Sequence, residues 1–305
     1  MKNGYFYFYD AEDAAPVSVR KWLTETHGYS ARLLTRIKNE GSILINDKEC
    51  WFSDALHPGD HIRIALPDEA IDMTPVYRDI DVLYEDEEVL VINKDAGTVT
   101  HPTKRHQEDT LGNFVAAYLE RKGESNKIRF VNRLDMDTTG VVVIAKNKYV
   151  HHYIQSEFAG PSEKSYMAFV HGIPEQPSGI ITAPIMRVCP EDIFRKVDPA
   201  GKPCVTRYQV VETYQNAALI RLKLETGRTH QLRVHLQHIG HPIIGDPMYG
   251  AETGDDFGMT RQALHATDLI LRLPTRGRMH FRAPFKADMM ALWQKLSSEI
   301  DSGDL

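Results

Sequence analysis

Cysteine is scarce. Three residues in 305, Cys50, Cys189 and Cys204, stand far apart and form no C-x-x-C pair. That excludes a disulfide framework and a thiolate zinc site. Long apolar runs are missing too. A membrane helix needs about 20 consecutive apolar residues, and stretches such as 141–145 are far shorter. The aromatic start, Tyr5, Phe6, Tyr7, Phe8 and Tyr9, turns acidic and lacks the basic opening and small-residue cleavage site of a signal peptide. A cytoplasmic protein with no membrane partner is the expectation. No G-x-x-x-x-G-K-[ST] loop, no G-x-G-x-x-G and no G-x-S-x-G elbow is present. Nucleotide cofactors therefore lack their usual cradle, and an elbow serine its usual setting.

Net positive charge is also missing, since the chain carries a formal charge of -6. Its distribution matters more than its sum. The stretch from Pro67 to Leu90 holds nine acids and one base, Arg78, so it contributes -8 and leaves +2 for the remainder. Bases gather elsewhere: Arg32, Arg36 and Lys38 in one stretch, Arg221, Lys223, Arg228 and Arg233 in another. A nucleic-acid surface needs only local positive potential. Ordinary solvated faces account for the same clusters equally well.

Periodicity divides the chain. Val19, Trp22 and Leu23 share one helical face, and Leu33, Leu34 and Ile37 the next, before Gly41 stops the helix. A strand at 42–46, an Asn46-Asp47 turn, a return strand at 49–52 and a strand through Ile62 and Ile64 follow. The expected domains are 1–70, an acidic proline-containing linker at 71–81 that few contacts should cross, and 82–305. Beyond the linker, strands are expected at 82–84, 89–93, 141–145, 166–170, 205–211, 218–224 and 264–273. Helices are expected at 110–119, 147–158, 229–239 and 287–296. Strands and helices do not alternate regularly, so the fold class is α+β with a mostly antiparallel mixed sheet.

Two segments could carry chemistry. The first, 132–140, reads Asn-Arg-Leu-Asp-Met-Asp-Thr-Thr-Gly and lies between a strand end and an apolar strand. Asp135 there could be a nucleophile or general base, or merely an Asx-turn residue. The second, 226–235, reads Thr-Gly-Arg-Thr-His-Gln-Leu-Arg-Val-His. Thr229 could cap a helix, which puts Arg228 at its entrance and Arg233 along one face. His230, His235, His238 and His241 invite a metal reading. However, no H-E-x-x-H is present, and His230 and His235 would project about 140° apart on a helix. Core packing or RNA contact explains them better, and no metal is expected.

In combination these segments resemble the RluA-type pseudouridine synthases over about residues 80–295. The family's H-R-L-D-x-x-T-S-G loop is matched by Asn132-Arg133-Leu134-Asp135 and Thr138-Thr139-Gly140. Its K-x-Y is matched by Lys164-Ser165-Tyr166. The T-G-R-T-H-Q-L-R-V-H and G-H-P-I-x-G-D-x-x-Y-G segments run almost unbroken from Thr226 to Gly250. Asn93-Lys94, Gly97 and His101-Pro102 match an early N-K-x-x-G-x-x-x-H-P segment. The chain departs from the family at Asn132 (usually His), Thr139 (usually Ser) and Asp95 (usually Pro). The first 70 residues resemble, more loosely, an S-four type RNA-binding domain.

The resemblance implies an isomerase that converts uridine to pseudouridine in structured RNA, with no cofactor because the reaction is redox-neutral. Asp135 would act on the ribose or base, Arg228 would keep it charged and Tyr166 would stack on the uracil. Arg133 would fill the place of a flipped base. Lys164, His230, Gln231 and Arg233 would contact substrate, and Arg32, Arg36 and Lys38 phosphates. Large-subunit ribosomal RNA is the favoured partner and transfer RNA the alternative, with the enzyme a monomer. Against these stand a non-catalytic RNA-binding assembly factor and a metal-dependent hydrolase.

Overall fold

In the computed structural model, residues 5–12, 17–67, 69–103, 106–157, 163–189, 191–250 and 255–301 are described. The first elements are β1 (Phe6–Asp10), β2 (Val17–Ser18), α1 (Val19–Glu25), α2 (Ala31–Glu40), β3 (Ser42–Ile45), β4 (Lys48–Glu49), β5 (Ala55–Leu56) and β6 (His61–Ala65). Ser18 and Ser30 cap the two helices, each accepting from a backbone N–H three residues on. Asn46 and Asp47 both adopt positive φ, as a two-residue type I′ hairpin requires. The return strand is only Lys48–Glu49, shorter than expected, because the chain leaves the ladder to turn at Trp51. The small sheet has the order β1-β6-β3-β4.

The remaining elements are β7 (Val82–Glu85), β8 (Val89–Lys94), α3 (Leu111–Arg121), β9 (Arg129–Phe130), β10 (Thr139–Ala145), α4 (Lys148–Glu157), β11 (Glu163–His171), β12 (Ser178–Ile181), β13 (Ile185–Arg187), β14 (Arg195–Val197), β15 (Thr206–Thr213), β16 (Ala217–Leu224), α5 (Gln231–His238), β17 (Leu264–Leu273), β18 (Gly277–Arg282) and α6 (Ala287–Asp301). The large sheet runs β12-β15-β16-β11-β17-β10-β8-β7, with β18 on β17 and β9 on β10. The β10–β17 pair is parallel and the other pairs are antiparallel. The α+β class with a mostly antiparallel sheet matches the expectation. Strands β12, β13, β14 and β18 were not foreseen. The expected end of the fourth helix at Phe158 lies outside the described residues.

Side chains alternate across a strand, and β8 and β10 use both faces. Leu90, Ile92, Val142 and Ile144 enter one apolar cluster, with Leu134, Tyr166, Leu232 and α6 residues. Val89, Val91, Val141, Val143 and Ala145 enter a second. That second cluster continues without a break into Tyr7, Leu23, Leu33, Ile37 and Ile64 of the N-terminal unit. Tyr29 stacks on Tyr149 of α4 with centroids 4.1 Å apart, and the Tyr149 hydroxyl donates to the His27 carbonyl at 2.8 Å. Asn147 donates to the Tyr7 hydroxyl at 2.9 Å.

Segment 71–81 corrects a further expectation, since it is strapped down rather than loose. Val76 N–H donates to the Asn113 carbonyl, and the Asn113 amide donates to the Thr74 carbonyl. Ile71, Met73 and Ile80 pack on the first cluster. Its proline and charge suggested a linker, but the three apolar residues between them decide its path.

Candidate active site

The loop 131–138 joins β9 to β10, which pair antiparallel through Phe130↔Ile144. Asn132 ties its base: its amide donates to the Val141 carbonyl at 2.9 Å, and its oxygen accepts from Val143 N–H at 2.9 Å. Lys94 holds the far side. The residue is 1% exposed, and its amine donates to the carbonyls of Asp95, Thr98 and Met136 at 2.7–2.8 Å. Burial pushes its pKa down to about 7. Gly140 closes the loop at φ 115°, where a Cβ would meet the Ala266 carbonyl oxygen at 2.2 Å across the parallel pair. Only glycine allows that approach. Thr139 binds His265 at 2.7 Å, so the hydroxyl standing where the family usually has serine sits in a buried polar pair.

Asp135 projects from this loop, one third exposed. Its nearest basic side chains among the described residues are Arg233, 3.7 Å from its Oδ2, and His230, at 4.0 Å and charged only when protonated. Arg233 is almost fully buried on α5 and grips Asp246 with two bonds of 2.6 and 2.7 Å. Burial opposes its charge, but Asp246 and Asp135 hold its pKa above the ordinary value. Its guanidinium also lies 5.0 Å from the Tyr249 ring centroid. The Tyr249 hydroxyl meets His230 Nδ1 at 2.9 Å and accepts from Arg195 N–H at 3.0 Å. His230 itself stands at φ 56°, a left-handed conformation unusual for a side chain of its size. Burial lowers its pKa, while Asp135 pulls the other way.

Tyr166 lies on β11, 8% exposed. Burial, and then the charge of Asp135, push its hydroxyl pKa well above the ordinary value. Lys164 is two residues away on the same strand face, and burial lowers its pKa. Arg133 is exposed beside His101, whose pKa is lowered by burial and by that arginine.

The structure corrects three assignments. Arg228 is exposed, and its backbone N–H donates to Gln231 Oε1; it is not the partner of Asp135. The reason is helix phase. Helix α5 begins at Gln231 after His230, so Thr229 does not cap it, and Arg233 is the arginine that turns inward. Gln231 is buried, accepting from Thr226 and Arg228 N–H and donating to the Val205 carbonyl and Thr206. Its amide is consumed by the fold and does not face substrate. Arg36 is held by Glu40 and Glu69, whereas Arg32 and Lys38 are exposed. Asp246 and Tyr249 were given no role, though the G-D-x-x-Y-G segment had signalled them. No group of three or more metal-type ligands is found among the described residues.

A Bacillus subtilis (strain 168) protein called Uncharacterized RNA pseudouridine synthase YlyB is 34% identical over 293 residues, covering 94% of this chain and 96% of its own. The chain belongs to the RNA pseudouridine synthase family. It is an RNA-modifying isomerase. The family pattern described as RNA pseudouridylate synthase matches residues 88–238, which include the Asp135 loop and α5. The Ribosomal large subunit pseudouridine synthase D of Pseudomonas aeruginosa is 38% identical, covering 73% of this chain and 74% of its own. Human RNA Pseudouridylate Synthase Domain Containing 1 is similar in structure to this synthase, with a TM-score of 0.58 and 25% identity. The match covers 74% of this chain and 98% of the human one. Among the described residues, no helix of the synthase is long and apolar enough to cross a membrane.

Proposed function

We propose that this synthase isomerises uridine in large-subunit ribosomal RNA, with Asp135 as its catalytic carboxylate. One observation carries the reading: Asp135, one third exposed, lies against a buried, doubly anchored arginine and close enough to Tyr166 to act on its hydroxyl. Pseudouridine formation breaks the bond from ribose C1′ to uracil N1 and joins C1′ to uracil C5. The C5 proton leaves and N1 gains one, so nothing is oxidised or reduced. Asp135 either attacks C1′ or removes a ribose proton, and Arg233 balances its charge in both routes. Tyr166, with its raised pKa, keeps its proton and serves better as a flat face for the uracil than as a base. A paired uridine reaches Asp135 only when flipped out, and Arg133, exposed beside it in the chain, fills the gap. The relatives named as large-subunit ribosomal enzymes support that RNA as substrate.

Residues 1–70 serve as the S-four-like RNA-binding unit, with Arg32 and Lys38 as its phosphate contacts. The test is pseudouridine mapping in total RNA from a deletion strain carrying either the wild-type chain or Asp135→Asn. The variant should fold and bind RNA yet leave the sites unmodified. Normal modification by the variant removes Asp135 from the chemistry. Sites lost from transfer RNA alone overturn the ribosomal assignment.

A further inference from the structure

The chain has three tryptophans, and they lie in unlike surroundings. Trp22 is buried and Trp293 is 36% exposed, whereas Trp51 is 68% exposed. This exposure comes from a braced turn. Trp51 N–H donates to Asp54 Oδ2 at 2.8 Å, and Asp54 N–H returns a bond to the Trp51 carbonyl at 3.0 Å. Arg20 N–H and Val19 N–H bind the carbonyls of Phe52 and Asp54, which fastens the turn to the start of α1. Phe52 faces the core, and its neighbour Trp51 therefore faces out.

Beside the ring is a groove of about 440 Å³, lined by Ser18, Arg20, Lys38, Trp51, Phe52 and Ser53. The Lys38 ammonium lies 5.9 Å from the Trp51 ring centroid, and the Arg20 guanidinium 5.5 Å from that of Phe52. The lining thus offers one open aromatic face, two cations and two hydroxyls, with no carboxylate. A polyanion matches the cations, and a flat uncharged ring matches the indole. RNA joins both in one repeating unit. Within a duplex the base faces are covered by their neighbours, so only an unpaired nucleotide can lay its ring on Trp51.

We infer that this groove binds an unpaired nucleotide of the RNA substrate, its base stacked on Trp51 and its phosphates held by Arg20 and Lys38. The inference rests on RNA being the substrate, as proposed above. It adds base stacking to a unit otherwise expected to touch only phosphates. Lys38 gains a neighbour ring to work with, and Arg20 joins the contact set.

The test uses the full chain and a short single-stranded oligoadenylate, read by tryptophan fluorescence and by anisotropy of the labelled oligonucleotide. Stacking should quench the emission, and Trp51→Ala should lose that quench and bind about 10-fold more weakly. Trp51→Phe, still a ring, should restore most of the affinity. Lys38→Ala should flatten the dependence of log affinity on log salt by about 0.7. Equal affinity of Trp51→Ala and wild type overturns the inference, and so does equal quenching by duplex RNA or by polyglutamate, which has charge without bases. If uridine is isomerised while Trp51→Ala binds the oligoadenylate normally, the groove fails and the proposed function stands. If Trp51 is quenched while no uridine is isomerised, the groove stands and the proposed function fails.

Discussion

The two faces of the large sheet are made by the same strands and do different work. One face carries the cluster of Leu90, Ile92, Val142 and Ile144, with Leu134 and Tyr166 on the side of Asp135. The other carries Val89, Val91, Val141 and Val143, and α4 and the N-terminal unit together cover it. On the first face, charged groups are held in place: Arg233 by Asp246, Lys94 by three carbonyls. On the second, tyrosines and aliphatic chains exclude water. The near-continuous apolar run of β10 already signals a strand buried on both faces. What it leaves out is the identity of the full cover: α4, next in the chain, packs on this face through Tyr149, Val150 and Ile154, and the N-terminal unit completes the cluster.

Truncation should break this comparison with the largest effect. Removing residues 1–70 strips the N-terminal half of this cluster and bares Tyr149, so the remaining fragment should be insoluble or lack a cooperative melt. A soluble fragment with a wild-type melting profile by circular dichroism would show that the cover is dispensable. Next in size is Tyr149→Ala, which removes the ring stacked on Tyr29. It should cost about 3–5 kcal/mol in urea unfolding, while the saturated single-turnover rate stays near wild type. A rate loss as large as the stability loss would mean the two faces are not separable.

On the chemical face, Arg233→Lys keeps charge but not the two-bond grip on Asp246. Turnover should fall about 100-fold from mispositioning. Arg228→Ala should chiefly weaken RNA binding and lower its salt dependence by about one counterion. The reverse ranking, measured by single-turnover kinetics, returns Arg228 to the catalytic set.

The smallest effect sits under the cover. Glu88 is 3% exposed, and its Oε1 has no hydrogen-bond partner among the described residues. Burial raises its pKa from 4.5 to about 7. A carboxyl raised on folding supports the fold fully below pH 4.5, and that support is lost as pH rises to about 7. Glu88→Gln should therefore match wild type in acid and exceed it by roughly 2 kcal/mol at pH 8. Urea midpoints that differ equally at both pH values would sink the idea.

Much of the site was legible because its residues fall in short segments. Asp135, Tyr166, His230 and Arg233 were all named before any geometry, and the structure brings them together. The error lay between two arginines five positions apart. Capping chemistry pointed to Thr229 as the helix start, but His230 takes a left-handed conformation and delays the helix. That turns Arg233 inward, and nothing local to Arg228 reveals it. Pairing of Arg233 with Asp246, 13 residues on, is a tertiary fact. The segment 71–81 misled for a similar reason: its acids and its proline outweighed the sparse apolar residues that anchor it to α3.

The Lys94 clamp also has a consequence in time. One buried ammonium binds carbonyls from two loops, so the turn at 95–98 and the turn after Asp135 can open only together. Thr98 N–H donates to the Met136 carbonyl and Thr138 N–H to that of Asp135. Those two amides should therefore exchange with deuterium at the pace of the core strands rather than of surface loops. In the role proposed for Asp135, its carboxylate would then wait in place before RNA arrives, leaving the larger motions to the nucleotide.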